Sequence, residues 1–233
     1  MTAELKAARH DATLAITLSN PGRGNALDAA MLVAAIETLS TVERDESVRA
    51  VVLCGADGQF SLGLDWPKDA AQRLAALESL HSLIDMLRNF PKPVIAAVDG
   101  AATDAGLALA LACDLLVATR QAQFGISAAQ RGIWANGGAG WLLAQALPPA
   151  LLAELHFDAT PLGAPRLHAA GAVNRLAADG RALEEAMDWA ERMTAQVPAP
   201  AVERLKEMLH EARSVSLGEH FNGEKRRLAG QRG

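Results

Sequence analysis

The chain has 233 residues, of which 50% are hydrophobic and 21% are charged, and its formal net charge is −5. These proportions are typical of a packed globular protein and exclude a disordered chain, a collagen and a coiled-coil rod. Lysine and arginine are scattered along the chain, so we expect neither nucleic acid nor an anionic membrane as a partner. The length predicts one large domain with an appendage.

No segment has the pattern of a targeting signal or a membrane span. The first residues, MTAELKAARHD, lack the apolar core of a signal peptide. The longest apolar stretch, 107–113, is far shorter than the about 20 residues that a spanning helix needs. The two cysteines, Cys54 and Cys113, each lie inside an apolar run and are predicted to be small buried hydrophobes rather than a disulfide. We therefore expect a cytoplasmic protein.

Hydrophobic patterning predicts alternating strands and helices in the first half of the chain. Alternation over residues 13–18 predicts a half-buried strand, and Asp28 is placed to cap a helix that continues to about residue 42. The continuous apolar runs 50–55 and 93–100 predict buried parallel strands, with a helix between them. Strand, helix and strand at this spacing form a βαβ unit with a right-handed crossover.

The second half of the chain changes from mixed elements to helices alone. Residues 103–113 are apolar on every side, which predicts a helix inside the protein. The stretches CDLLVAT and QAQFGI predict two further short strands, and from about Ala177 only helical patterns follow. We therefore predict a core of residues 1–176 and a helical C-terminal region of residues 177–233.

Common signatures of phosphate, metal and nucleophile sites do not occur in the sequence. There is no G-x-x-x-x-G-K-[ST] loop, and the six histidines show no H-x-x-x-H spacing. Ser127 lies in GISAA rather than in G-x-S-x-G, so it does not form a nucleophile elbow. We expect no bound metal and no classical covalent catalysis.

Two loops rich in backbone donors remain, 59–66 and 99–106, each of which follows a predicted buried strand and precedes a predicted helix. The first N–H groups of a helix have no internal partner and lie at the positive end of its dipole. Two such turns side by side can direct two N–H groups at one oxygen, which is the outline of an oxyanion hole. The alternative is ordinary helix capping, with Asp65 and Asp104 as N-caps.

Five sequence segments, taken in order, resemble the enoyl-CoA hydratase/isomerase (crotonase) family from about residue 10 to residue 195. They are Asn20-Pro21 with Asn25-Ala26-Leu27, VVLCGADGQFSLGLDW, KPVIAAVDGAATDAGLALALACDLLVAT, QAQFG and APRLHAAGAVNRL. The resemblance implies an α/β fold, a crotonase-type spiral of ββα repeats with a helical C-terminal region that builds homotrimers or homohexamers. It also implies an acyl-CoA thioester as ligand, with coenzyme A arriving as part of the substrate and no permanently bound cofactor.

The resemblance also implies roles for particular residues. The two oxyanion donors are expected to be the backbone N–H groups of Leu64 and Ala105. Residues along the expected path of coenzyme A are Arg23, Ala26, Leu62, Leu64, Asp65 and Trp66.

The chain departs from the family pattern where hydratases carry two glutamates as acid and base, because Ala108 and Ala128 occupy those positions in a gap-free count. The candidates to replace the glutamates are, in order, Asp104, Asn136, Ser127 and Gln130. We interpret the protein as an acyl-CoA enzyme that stabilises a thioester enolate without the glutamate pair. A decarboxylase, a double-bond isomerase and a catalytically degenerate CoA-binding subunit are the alternatives.

Overall fold

The computed structural model describes residues 3–132, 137–212 and 215–230. The strands in these ranges are β1 Glu4–His10, β2 Thr13–Ser19, β3 Ala50–Gly55, β4 Val94–Val98, β5 Ala101–Thr103, β6 Leu115–Thr119, β7 Gln123–Gly125, β8 Leu162–Gly163 and β9 Arg175–Ala177. The α-helices are α1 Ala29–Arg44, α2 Ala70–Asn89, α3 Ala105–Ala112, α4 Ala139–Ala146, α5 Pro149–Phe157, α6 Ala164–Ala169, α7 Ala182–Gln196, α8 Ala199–Glu211 and α9 Leu217–Gly230. A single 3₁₀ turn spans Ala128–Arg131.

The main sheet has six strands in the order β1-β2-β3-β4-β6-β9. Only the β1 pairing is antiparallel, and the other neighbours run parallel. Strands β3 and β4 are buried along almost their whole length, as continuous apolar runs predict for central parallel strands. The predicted βαβ unit is confirmed as β3, α2 and β4.

The edge strand β1 has no counterpart among the predicted elements. Six of its seven residues are exposed, and it pairs with β2 along its full length. An edge strand that faces solvent can carry polar side chains on both faces, so it lacks the apolar alternation by which a strand is recognised.

Helices α1 and α2 cover one face of the sheet and begin at aspartate caps. The Met31 N–H donates to the Asp28 carboxylate at 2.8 Å, which confirms the predicted cap of α1. In α2 the residues Leu80, Ile84 and Leu87 are buried, whereas Leu74 is 58% exposed. His81 of the same helix is exposed.

Helix α3 lies inside the protein, as its uniformly apolar sequence predicts. All of its residues except Leu111 are buried. A second sheet, in the order β5-β7-β8, lies at its N-terminal end, since β5 ends two residues before α3 begins. The loop between β4 and α3 is therefore a short strand and a turn rather than the simple strand-to-helix turn predicted.

The opposite face of the sheet is covered by α7, which packs three alanines, Ala182, Ala186 and Ala190, onto the central strands. Small side chains allow a helix to lie close to a sheet of valines and alanines. Because β3 and β4 are parallel neighbours, the loops that follow them emerge together at one edge of the sheet.

Both cysteines are free thiols in the described chain, as predicted. Cys54 is buried, and burial raises the pKa of its thiol, as it does for the pKa of the Cys113 thiol. Raised pKa values keep both groups protonated, so neither has the character of a nucleophile. Across the described ranges, every helix is too short or too polar to cross a membrane.

An ion pair joins the C-terminal helices to the sheet. The Asp114 carboxylate accepts the Lys206 ammonium at 2.7 Å and the Val94 N–H at 2.8 Å. Lys206 also donates to the Lys92 carbonyl at 3.1 Å. Burial raises the pKa of Asp114, and the Lys206 cation opposes that change. The side chains of Asp114 and Lys206 are only 22% and 12% exposed, so neither charge is well solvated.

Replacing Lys206 by methionine is expected to destabilise the protein by about 1 to 3 kcal/mol near neutral pH, because it leaves the poorly solvated Asp114 carboxylate without its ion-pair partner. The folded-state pKa of Asp114 then lies further above the unfolded value. The folded protein consequently binds the proton more readily, and the loss of stability should shrink as the pH falls below that raised pKa. Chemical denaturation at several pH values measures this, and the double change with Asp114→Asn should recover part of the loss.

Candidate active site

The two donor-rich loops lie side by side at the edge of the sheet. The Ser61 N–H donates to the Ala101 carbonyl at 3.1 Å, and the Thr103 N–H donates to the Ser61 carbonyl at 3.0 Å. These bonds form a parallel bridge between Ser61 and Ala102. The loop after β3 is thereby attached to the β5 segment that leads into α3.

A second parallel bridge orients Leu64. The Leu27 N–H donates to the Gly63 carbonyl at 2.7 Å, and the Asp65 N–H donates to the Leu27 carbonyl at 2.8 Å. In this pattern the peptide groups on either side of Leu64 bind Leu27, so the N–H of Leu64 itself points away from that partner. The loop geometry depends on Gly63, whose φ is +107°.

The N–H groups of Leu64 and Ala105 lie in the same region. A Cβ atom added at Gly63 would lie 3.4 Å from the Ala105 nitrogen and 3.2 Å from the Asp104 Cβ. Ala105 is the first residue of α3, so its N–H has no partner within the helix. Among the residues that the structure describes, neither the Leu64 N–H nor the Ala105 N–H has an acceptor.

The loop of residues 59–66 does not open a helix, which corrects the sequence-based expectation. Helix α2 begins at Ala70, and its N-cap is Asp69, which accepts the Gln72 N–H at 2.9 Å. Asp65 accepts the Arg23 guanidinium at 2.8 Å and is not a cap. The helix dipole therefore acts on the Ala105 donor and not on the Leu64 donor.

Asp104 precedes α3 but does not cap it with its side chain. Its backbone has φ +50° and ψ −116°, which a residue with a side chain rarely adopts. The side chain is 6% exposed, and its carboxylate accepts the Ser127 N–H at 2.8 Å, the Ser127 hydroxyl at 2.8 Å and the Arg131 guanidinium at 2.7 Å. We call Asp104, Ser127 and Arg131 the Asp104 clamp.

Comparison with known proteins identifies the family. The family model for enoyl-CoA hydratase/isomerase matches residues 8–230. The chain belongs to this family. It is 31% identical to the 2,3-dehydroadipyl-CoA hydratase of Escherichia coli over 216 residues, which cover 92% of this chain and 84% of that protein. It is 30% identical to an enoyl-CoA hydratase of Mycobacterium tuberculosis over 222 residues, with 91% and 82% covered.

Solved structures of the family share the fold. The crystal structure of an enoyl-CoA hydratase from a Polaromonas species superimposes with a TM-score of 0.89 and 38% identity, covering 97% of this chain and 90% of that one. The mixed sheet, the internal helix and the helical C-terminus described above are therefore the crotonase fold. Members of the enoyl-CoA hydratase/isomerase family act on CoA thioesters.

The two positions at which the resemblance places the hydratase glutamates, Ala108 and Ala128, lie on elements next to the clamp. Ala108 is in α3, is completely buried, and donates its N–H to the Asp104 carbonyl at 3.0 Å. Ala128 begins the single 3₁₀ turn that ends at Arg131. The candidate Asn136 lies outside the described residues. Gln130 is exposed and lies in the same turn, while Ser127 binds Asp104 directly.

Residues expected along the coenzyme A path are accessible to different degrees. Arg23 is paired with Asp65, and its side chain remains 64% exposed. Leu62 is 43% exposed, whereas Ala26 is buried and Trp66 packs partly against the core. The described residues contain no cluster of three metal-ligating side chains.

Sequence reasoning did not single out Arg131. It lies 27 residues from Asp104 in the chain, and nothing in the local sequence QRG marks it as an ion-pair partner. A possible signal was Asp104 itself, since a carboxylate next to an expected oxyanion donor needs a compensating cation.

Proposed function

We propose that this protein binds an acyl-CoA thioester with its carbonyl oxygen between the backbone N–H groups of Leu64 and Ala105, and that it stabilises the enolate formed from that thioester. The observation that carries the proposal is that the N–H groups of Leu64 and Ala105 are neighbours and have no acceptor among the residues that the structure describes. When a thioester becomes an enolate, negative charge moves onto its oxygen, and fixed donors bind that charge more strongly than they bind the starting carbonyl.

Without the glutamate pair, the reactions that fit best are those that need little proton transfer from side chains. Loss of carbon dioxide from a malonyl-type thioester yields the enolate without any base. Isomerisation of a double bond needs one group that moves a proton. We therefore favour decarboxylation or isomerisation over addition of water, and a CoA-binding subunit without activity is the remaining alternative. Turnover with a panel of acyl-CoA thioesters distinguishes an enzyme from such a subunit.

Coenzyme A enters this proposal as part of the substrate. Arg23 is placed to meet its phosphates, since the guanidinium keeps donors beyond the one that binds Asp65. Leu62 provides exposed apolar surface along the same edge. The Asp65 carboxylate would hold Arg23 in place rather than contact the anionic phosphates itself.

Titration calorimetry with butyryl-CoA tests the proposal, and Leu64→Ala sharpens the test. The alanine variant keeps the N–H donor and removes a side chain that is only 9% exposed. We expect the affinity for butyryl-CoA to stay within about threefold and the preference to shift towards longer acyl groups, because the pocket is larger. No binding of any acyl-CoA up to millimolar concentration, with agreement from a competition assay, would contradict the proposal.

We also propose that the C-terminal region of residues 177–233 forms a homotrimer or homohexamer. In the part of the chain that the structure describes, α8 has no buried residue. Several large apolar side chains on α8 and α9 are exposed by 45% to 71%: Leu205, Leu209, Leu217, Phe221 and Leu228. Such surface is usually covered by a partner. Sedimentation at micromolar concentration should give a trimer or hexamer, and a monomer would contradict this.

A further inference from the structure

We infer that Arg131 is a positioning residue that compensates the charge of Asp104, so that the Ala105 N–H can stabilise an enolate. The inference rests on the proposed function. It assigns a role to a side chain that touches neither the thioester nor the donors.

The Asp104 side chain begins beside the proposed oxyanion site. Asp104 precedes Ala105 in the chain, and its Cβ and the Ala105 nitrogen both lie within 3.4 Å of a single point next to Gly63. The carboxylate is 6% exposed, so water screens its charge poorly. A negative charge at this place opposes the negative charge that develops on a thioester oxygen held by Ala105.

The cationic side chain of Arg131 compensates the negative charge of Asp104. Its guanidinium binds Asp104 Oδ2 at 2.7 Å, while its side chain is 52% exposed and therefore partly solvated. At the Ala105 N–H, the positive charge of Arg131 therefore cancels most of the effect of the negative charge on Asp104. The hydroxyl and the N–H of Ser127 bind the same carboxylate and fix its orientation. The three donors together also hold a backbone conformation, φ +50° and ψ −116°, that is otherwise unfavourable.

This arrangement gives Asp104 a different role from the acid or base that the sequence suggested. Oδ2 already accepts two donors, Arg131 and the Ser127 hydroxyl, and Oδ1 accepts the Ser127 N–H. To accept a proton from a substrate, the carboxylate would have to give up one of these bonds. The clamp also joins α3, which contains Ala108, to the turn that begins at Ala128. Asp104 therefore shapes the site from which both glutamates are absent.

The test compares three variants of the full chain with the wild type: Arg131→Gln, the double variant Asp104→Asn with Arg131→Gln, and Arg166→Gln. Arg166 is the matched control, because it is 53% exposed and pairs with Glu154, which is 41% exposed, away from the site. Three properties are measured with butyryl-CoA labelled with ¹³C at the carbonyl. The first is its dissociation constant, and the second is the infrared carbonyl stretch of the bound thioester, which reports how strongly the donors polarise it. The third is the rate of deuterium incorporation at Cα in heavy water.

In Arg131→Gln we expect the carbonyl stretch to move towards its value in free butyryl-CoA, and deuterium incorporation at Cα to fall about 10- to 100-fold. Affinity for the thioester should change less than about threefold, because the uncharged carbonyl depends less on the nearby charge. The double variant should regain the wild-type stretch and most of the rate. Arg166→Gln should match the wild type in all three measurements. If the Asp104 clamp had only a structural role, Arg131→Gln would lower the affinity for butyryl-CoA and the stability of the protein. The carbonyl stretch of the butyryl-CoA that still binds would then be unchanged.

Two outcomes would overturn the inference: an unchanged stretch in Arg131→Gln, or a double variant that is as impaired as the single one. The latter would make Asp104 itself the acid or base. Failure of the proposed function looks different, because the wild type would then bind no butyryl-CoA. In that case the NMR chemical shift of the Ala105 amide, recorded without ligand, tests the inference. We expect this chemical shift to change in Arg131→Gln and to return to the wild-type value in the double variant. Any other pattern would contradict charge compensation.

Discussion

Replacement of Ala105 by proline is expected to lower the rate of enolate formation by about 10²- to 10³-fold, the usual loss when one oxyanion donor is removed. Proline has no N–H, so one of the two proposed donors disappears. Ala105 is the first residue of α3, where proline does not break the helix, but proline there also constrains Asp104, whose φ +50° and ψ −116° lie outside the region that a residue before proline prefers. The rate is measured as deuterium incorporation at Cα of butyryl-CoA in heavy water, where deuteroxide from the solvent removes the Cα proton and D₂O returns a deuteron to the enolate.

Ala105→Gly is the control for this experiment. Glycine keeps the N–H donor and removes only a methyl group, so the rate should remain within about fivefold of the wild type. Thermal unfolding of both variants verifies that α3 still packs inside the protein. Equal losses in the proline and glycine variants, with both proteins folded, would show that the Ala105 N–H is not a donor in the reaction.

Hydration of crotonyl-CoA by the wild-type protein is expected to be about 10²- to 10⁴-fold slower than in family members with both glutamates, which is the contribution typical of positioned acid and base groups. Addition of water requires that one proton is removed and another is delivered. Ala108 supplies only a buried methyl group on α3, and Ala128 has no titratable group. The rate is followed by the loss of enoyl absorbance.

The double change Ala108→Glu with Ala128→Glu should raise the rate of hydration. A carboxylate at position 108 has to find space in a wholly buried helix, so its effect on stability is measured alongside the rate. Leu64→Ala is combined with this double change in a second variant, since the Leu64 side chain narrows the expected pocket. Wild-type protein that hydrates crotonyl-CoA as fast as dedicated hydratases, with the rate unchanged in Asp104→Asn, would show that the acid and base lie elsewhere.

The parts of the fold that sequence predicted correctly depend on local signals. Strands β3 and β4 are continuous apolar runs, and α1 begins at an aspartate whose side chain binds an N–H three residues later. Such patterns are contained in a few neighbouring residues, so they can be recognised without knowing the rest of the chain.

The parts that were missed depend on partners far away in the chain. Asp65 and Asp69 both precede the apolar pattern of α2, and only Asp69 caps it, because Asp65 is held by Leu27 and Arg23. Asp104 was expected to cap α3, but its partners lie 23 and 27 residues further along. The resemblance to a family pointed to Leu64 and Ala105, and it gave no indication of Arg131.

A crystal structure of the protein with bound butyryl-CoA tests the central claim most directly. The claim predicts that the thioester oxygen lies about 2.7 to 3.1 Å from both the Leu64 and the Ala105 nitrogen atoms, the distance at which donors stabilise an oxyanion. A thioester whose oxygen binds elsewhere, with these two N–H groups facing solvent or another part of the ligand, would contradict the account.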